Sequence, residues 1–295
     1  MWSGHYDAIT HSPSRPLAAV QSMDFDLMSS NFPVVMPHFH RSEPLDRLAM
    51  RLSSFVQLDQ REARDLRRVM AVGVLEAHED VLKGAASDVV VLLSGMACRY
   101  KSMSDGRRQI TGLIAPGDIC HYGFLTGNSV TSQSISLAVS QVGRISIADF
   151  TVLCEQHPQV MRATLRAAAI DAAMAEERIV TLGQRASPER VAHLFCELIY
   201  RLRVVGLVSP DNDFDFPITQ AEIADTLGIS TVHVNRTLQA LRREGLIAMR
   251  QGKVTINDLP GLVDVAGFSP AYLKPGPEIE PDKSGIVQQR QSGYP

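Results

Sequence analysis

The stretch from Pro217 to Asn257, PITQAEIADTLGISTVHVNRTLQALRREGLIAMRQGKVTIN, constrains this chain most, because it carries start and stop signals for two helices within a few residues. Thr219 is a helix N-cap, and Glu222 three positions later completes a capping box ahead of Ile223, Ala224 and Leu227, which share one face. Gly228 ends that helix, since glycine tolerates the left-handed backbone of a helix C-terminus, and Ser230 caps the next helix almost at once. On the second helix Val234, Leu238 and Leu241 recur at i, i+4, i+7 and form a buried stripe. At about 100° per residue, Val232, Arg236, Gln239 and Arg243 project away from it, with Thr231 and Asn235 on the flanks.

Those outward groups have the chemistry of base recognition. Arg pairs with guanine, Asn or Gln with adenine, and an apolar side chain with the thymine methyl. A generic helical pair with a solvated face is the competing account. Against it stands the hairpin Gly245 to Asn257, which carries Arg250, Gly252 and Lys253 at its tip, as a DNA-binding wing does. Expected base-reading residues are Thr231, Val232, Asn235, Arg236 and Gln239, and expected backbone contacts are Thr219, Gln220, Ser230, His233, Arg243, Arg250 and Lys253.

The whole chain, 295 residues with net charge −3, has no global nucleic-acid signature. Charge distribution decides more than the total. Between Ser230 and Lys253 five basic residues (Arg236, Arg242, Arg243, Arg250, Lys253) face one acid, Glu244, a local balance of +4. The four cysteines, at 98, 120, 154 and 196, form no Cys-x-x-Cys pair, which argues against a zinc ribbon or thioredoxin-like motif and points to a reduced, cytoplasmic setting. No apolar run approaches the ~18 residues of a membrane span, and no secretory signal pattern opens the chain, so no membrane partner is expected.

Residues 1–43 scatter Ser, Pro and His without a period and read as disordered; His38 and His40 on such a tail are read as surface histidines and not as a metal site. Pro44 to Leu52 and Asp59 to Met70 are short amphipathic helices, with Leu45, Leu48 and Leu52 on one face of the first and Ala63, Leu66 and Met70 on one face of the second. From Val72 to Ile147 the pattern becomes short strands: Val72 to Leu75, Val89 to Leu93, Ala97 to Lys101, Arg108 to Ile114, Ser134 to Val139 and Gly143 to Ile147. They are separated by turn signals such as Asp105-Gly106 and Pro116-Gly117-Asp118. That spacing predicts an antiparallel barrel or jelly roll.

The order VLLSGMACRY, SDGRRQI, APGDIC resembles the sensor domain of the CRP/FNR family of bacterial transcription regulators, and VHVNRTLQALRREGLI resembles that family's DNA-binding domain. Together they span Pro44 to Asn257. The fold expected is α+β: an antiparallel jelly-roll sensor barrel (44–156), a long dimerisation helix (157–186) and a winged helix-turn-helix (187–268), with a disordered tail at 269–295. In the long helix, Met161, Leu165, Ala168, Ala172, Ala175, Ile179 and Leu182 follow 4-3 spacing over three heptads, a seam that pairs with its own copy. One helix packed on its own barrel is the alternative, but relatives dimerise through this helix. The flanking Asp171 and Glu176 do not help, since a parallel pair brings them towards their copies. Ser187, with Pro188 at the first position, restarts a helix whose Val191, Leu194, Leu198 and Leu202 pack under the helix-turn-helix, and Asp258 to Phe268 adds a closing helix.

The resemblance implies a homodimer on palindromic DNA, with RNA polymerase as a further partner. It does not carry over a signal. Cyclic-nucleotide-binding relatives place a Glu for the ribose and an Arg-Ser or Arg-Thr pair for the phosphate after the Pro-Gly-Asp turn; here Cys120, Val130 and Thr131 stand there. Between Ile119 and Gln141 there is no carboxylate, Arg or Lys, and a buried phosphate without a cation is poorly compensated, so cyclic AMP is not expected. No cysteine precedes Cys98, against the N-terminal iron-sulfur cluster of the oxygen-sensing branch, and haem through His78 or His121 is unsupported. The barrel is left as sensory, or as one that has lost its signal. A cupin-like metal enzyme fused to a helical domain is the other functional class, but its His-x-His is missing from the barrel, where His78 and His121 lie 43 positions apart. No enzyme activity is expected.

Overall fold

A computed structural model describes residues 43–85, 87–127 and 133–274. His38, His40, Val130 and Thr131 therefore lie outside the described residues, as do residues 1–42 and 275–295.

Alternating and apolar runs form six antiparallel strands: β1 (Ala71–Leu75), β2 (Asp88–Ser94), β3 (Ala97–Ser102), β4 (Arg108–Ile114), β5 (Gln133–Ser136) and β6 (Ser140–Ser146). They make two three-stranded sheets, ordered β1-β6-β2 and β4-β3-β5. Leu75, Val90, Leu92 and Val142 from the first sheet meet Ala97 and Ile114 from the second in one buried cluster with Val81, Ala85 and Cys120. This is the jelly-roll core. Two short helices precede it, α1 (Arg47–Ser53), entered through a 3-10 turn at Pro44–Asp46, and α2 (Gln60–Arg68), whose N-cap Asp59 forms a capping box with Glu62.

After β6 the chain turns directly into α3 (Ile147–Gln156), where Ser146 Oγ accepts from the Asp149 N–H at 3.0 Å. The strand expectation through Ile147 did not include this helix. Next come the long helix α4 (Pro158–Gln184) and α5 (Ser187–Val204). The N-cap of α5 is Ala186, not Ser187: the Glu189 carboxylate accepts from the Ala186 N–H at 2.8 Å, which satisfies the helix start without a hydroxyl and shifts Pro188 one position inward. Val191, Leu194, Leu198 and Leu202 are all buried, as expected.

Along α4, Val160, Ala163, Thr164, Ala167, Ile170, Met174 and Thr181 are buried against the chain itself. The predicted seam is a different face. Leu165 (53% exposed), Ile179 (71%), Ala172 and Ala175 are open, while Met161, Ala168 and Leu182 are half-buried. Asp171 does not flank that open face towards a partner; it is turned to the barrel and paired with Arg99 of β3.

The turn Pro116-Gly117-Asp118 joins barrel to helices. Gly117 has φ +91°, and a Cβ there would lie 2.8 Å from the Arg47 carbonyl oxygen and 2.9 Å from Val205 Cγ1, so only glycine fits. Asp118 beside it sits between Arg51 (3.2 Å) and the buried Arg201 of α5, which also bonds Glu197 at 2.9 Å and the Leu113 carbonyl at 2.9 Å. Burial alone would raise the Asp118 pKa, but the charges of Arg201 and Arg51 outweigh it and hold the carboxylate below its ordinary range.

The remaining elements are β7 (Asp213–Asp215), α6 (Gln220–Leu227), α7 (Thr231–Arg243), β8 (Ile247–Arg250), β9 (Lys253–Ile256) and α8 (Leu259–Ala266), with a 3-10 turn at Pro270–Leu273. The disordered tail expected from Ser269 begins too early. Through Lys274 the chain is structured, because Phe268 and Leu273 are buried and the Tyr272 hydroxyl donates to Glu197 Oε2 at 3.0 Å.

Candidate nucleic-acid interface

The start of α6 has the capping box the sequence predicts: the Glu222 carboxylate accepts from the Thr219 N–H at 2.8 Å while Thr219 Oγ1 accepts from the Glu222 N–H at 3.2 Å. Gly228 ends the helix at φ 62°, ψ 36°, its N–H returning to the Ala224 carbonyl. Two residues on, Ser230 Oγ accepts from the His233 N–H at 3.3 Å and lies 2.8 Å from His233 Nδ1. The ring of His233 is thereby held at the cap.

Val234, Leu238 and Leu241 of α7 are buried, and so is Thr237, which the apolar periodicity did not reveal. The opposite face is exposed throughout. Val232 is 65% exposed, and Gln220, Thr231, Val232, Asn235, Arg236 and Gln239 line one open concavity. Within it Gln239 Nε2 donates to Asn235 Oδ1 at 2.9 Å, and Asn235 Nδ2 donates to Gln220 Oε1 at 3.2 Å. This amide chain crosses from α7 to the first turn of α6 and orders the polar edges before any ligand arrives. All five expected base-reading residues are thus brought together with Gln220, a member of the expected backbone set.

The hairpin β8-β9 turns through Gln251 (φ 51°) and Gly252 (φ 75°), the left-handed pair of a tight hairpin turn, placing Arg250 and Lys253 opposite each other. The third strand, β7, was not visible in the sequence. It pairs with β9 and brings Asp215 to 3.5 Å and Asp213 to 4.0 Å from Lys253 Nζ. The balance of +4 covers only residues 230–253, and β7 adds two carboxylates from upstream of them. Arg243 is exposed at the end of α7, and Thr219 and Gln220 are exposed at the start of α6.

Burial pushes the thiols up, Cys98, Cys120 and Cys196 to about 12 and Cys154 to about 11, so they stay protonated near neutrality. Among the described residues no group of three or more His, Cys, Asp or Glu side chains is placed to hold a metal ion. Nor is any helix there long and apolar enough to cross a membrane.

An exposed helix carrying guanidinium and amide groups, braced by a buried helical support and followed by a basic-tipped hairpin, defines a winged helix-turn-helix DNA-binding protein. Residues 189–265 match the Crp-like helix-turn-helix domain, and residues 75–157 match the cyclic nucleotide-binding domain. The chain is 30% identical to the nitrogen fixation regulation protein FixK of Bradyrhizobium diazoefficiens, over 57% of this chain and 69% of that one. It is 31% identical to the transcriptional activatory protein AadR of Rhodopseudomonas palustris, over 59% and 71%. In fold it is similar to FixK2 from Bradyrhizobium japonicum, at a TM-score of 0.59 and 22% identity over 68% of this chain and 99% of that one. The chain belongs to the CRP/FNR family, and it is a sequence-specific DNA-binding transcription regulator rather than an enzyme.

Proposed function

We propose that the protein acts as a homodimer on a palindromic operator, with Thr231, Val232, Asn235, Arg236 and Gln239 reading base edges and Thr219, Gln220, Ser230, His233, Arg243, Arg250 and Lys253 lying along the backbone. The observation that carries this reading is the concavity on α7, where Arg236 stands exposed beside the ordered Gln239–Asn235–Gln220 amide chain. Arg236 makes the bidentate contact to guanine, and Val232, which cannot accept from cytosine, packs on a thymine methyl. Binding-site selection with wild type and Arg236→Ala tests it. The variant should lose about 1 to 3 kcal/mol at the preferred operator and relax one base in each half-site. An unchanged consensus would move base reading to Asn235 and Gln239.

The open face of α4 supports dimerisation, because Leu165 and Ile179 are large apolar side chains left more than half exposed on the heptad seam. Ala172→Glu puts like charges across a close helix pair and should shift the sedimentation equilibrium towards monomer. As a regulator of this family the dimer engages RNA polymerase, which pull-down with the purified holoenzyme at a bound operator tests.

Cyclic nucleotide is not the signal we propose. At the position where relatives offer a ribose-binding carboxylate, Cys120 is fully buried in the barrel's apolar core and presents no acceptor, so the residues present do not fit that ligand. Calorimetric titration with cyclic AMP or cyclic GMP should show no binding at micromolar concentration.

A further inference from the structure

The barrel touches the DNA reader through β4. Arg108 Nε lies 2.6 Å from Asp225 Oδ2 on α6, and its guanidinium carbon stands 5.8 Å from the centre of the Tyr100 ring. The next residue, Gln109, donates Nε2 to the Asp225 carbonyl at 2.6 Å and lies 3.3 Å from that of Thr226. From the other side Arg190 of α5 donates Nη1 to the Leu227 carbonyl at 2.8 Å, and the same guanidinium bonds the Leu182 and Arg185 carbonyls at the end of α4. The carbonyls at 225 and 227 in the last turn of α6 therefore find donors outside their helix, and that of Thr226 lies within reach of Gln109, whose two N–H groups also face the Ile110 carbonyl at 3.0 Å. A free helix-turn-helix leaves such groups to water.

Cationic and amide donors at a helix C-terminus are favoured by the helix dipole, so each bond is well matched. The turn itself is close-fitting: a Cβ on Gly228 would come 3.1 Å from Leu182. The dock also leaves the reading face open, since Val232 and its neighbours remain exposed. A contact that occluded DNA would cover that face; this one holds the opposite end of the motif.

We propose that Arg108 and Gln109 are positioning residues for DNA recognition: barrel strand β4 fixes the orientation of the reader, and in the dimer this sets the half-site spacing that the protein selects. The proposal rests on the dimeric reading above. Adding one base pair between half-sites rotates and shifts one of them by about 34° and 3.4 Å, so only a reader held more firmly than that discriminates spacing. Arg108 and Gln109 supply the grip from the barrel, to which α4, the helix that carries the proposed dimer seam, is also tied through Asp171.

The test is selection from operators with a randomised spacer length, using wild type, Arg108→Ala/Gln109→Ala, and the volume-conserving Gln109→Glu, which sets a carboxylate against two carbonyls. Wild type should show one sharp spacing. Both variants should keep the half-site consensus, which reports a folded reader, yet tolerate spacers one base pair longer or shorter and bind the preferred operator about tenfold more weakly. The charge exchange Arg108→Asp with Asp225→Arg should restore the spacing preference. Variants that retain wild-type spacing discrimination overturn the proposal alone. A wild-type chain without any preferred spacing overturns the dimeric reading and the proposal with it.

Discussion

Arg99 on β3 and Asp171 on α4 form a two-pronged ion pair, with Nη1 2.6 Å from Oδ2 and Nη2 bonded to Oδ1, that ties the barrel to the middle of the long helix. Both side chains are about one-fifth exposed, so the pair is partly shielded from water. The guanidinium lies over Gly112 of β4, where a Cβ would stand 3.5 Å from Arg99 Nε. Charge, fork geometry and shielding favour a measurable coupling. A double-mutant cycle with Arg99→Met and Asp171→Asn, followed by urea unfolding, should give an interaction energy of about 1 to 3 kcal/mol. A value near zero would mean that packing alone sets α4 against the barrel.

Stability should fall on mild acidification because of His193. Its ring is buried on α5, edge-on to Phe268 and stacked on Tyr272, and burial, aided by the Arg185 charge, pushes its pKa down to about 4. Glu177 at 3.4 Å and Glu197 pull the other way without prevailing, and Arg178 adds to the lowering. The unfolded chain then binds the extra proton first, so stability is full above the unfolded histidine value of about 6.5 and is lost as pH falls towards 4. Between pH 7 and 5 the loss should be about 2 kcal/mol. His193→Phe should flatten this part of the pH dependence in urea titrations; an identical slope would assign it to other groups.

On the wing, Arg250 and Lys253 are not equivalent. Lys253 has Asp215 at 3.5 Å and Asp213 at 4.0 Å, whereas Arg250 lies across the hairpin on the exposed strand end. Arg250→Ala should weaken binding to all sequences and reduce the salt slope by about 1, and Lys253→Ala should do less. Asp215→Asn should strengthen non-specific binding by freeing Lys253. Fluorescence anisotropy over a salt series separates the three.

The helix-turn-helix was legible from sequence because its determinants are local. Thr219 and Glu222, Gly228, and Ser230 act within four residues of themselves, and each takes the role its type dictates. Barrel strands were legible for the same reason, through alternation and glycine turns. What escaped was short or distant. Strand β7 has three residues, too few for a period, and α3 starts where β6 ends with no intervening turn, although Ser146 and Asp149 form a cap. Pairs such as Arg99 with Asp171 or Asp118 with Arg201 join residues 72 and 83 positions apart, and no spacing rule connects them.

The segment after α8 is held to α5 through one hydroxyl. Tyr272 donates to Glu197 Oε2 at 3.0 Å, and Glu197 is a buried carboxylate that also binds Arg201 at 2.9 Å and lies 3.7 Å from Arg178. Phe268, edge-on to the Tyr272 ring, and Leu273 are both buried. The segment thus closes over the α4–α5 junction, and its removal would leave one acceptor of a buried carboxylate short of a donor. Tyr272→Phe keeps the ring and deletes only the hydroxyl, so it should cost about 1.5 to 3 kcal/mol, the range for hydrogen bonds to charged groups. Leu273→Ala should cost about 2 to 5 kcal/mol through the cavity it leaves. Both should speed amide exchange in α5 while the operator consensus stays the same, because this segment packs on α4 and bonds to α5. If Tyr272→Phe unfolds at the wild-type urea concentration with the same slope, the hydroxyl does not stabilise the junction and the segment is held by its apolar contacts alone.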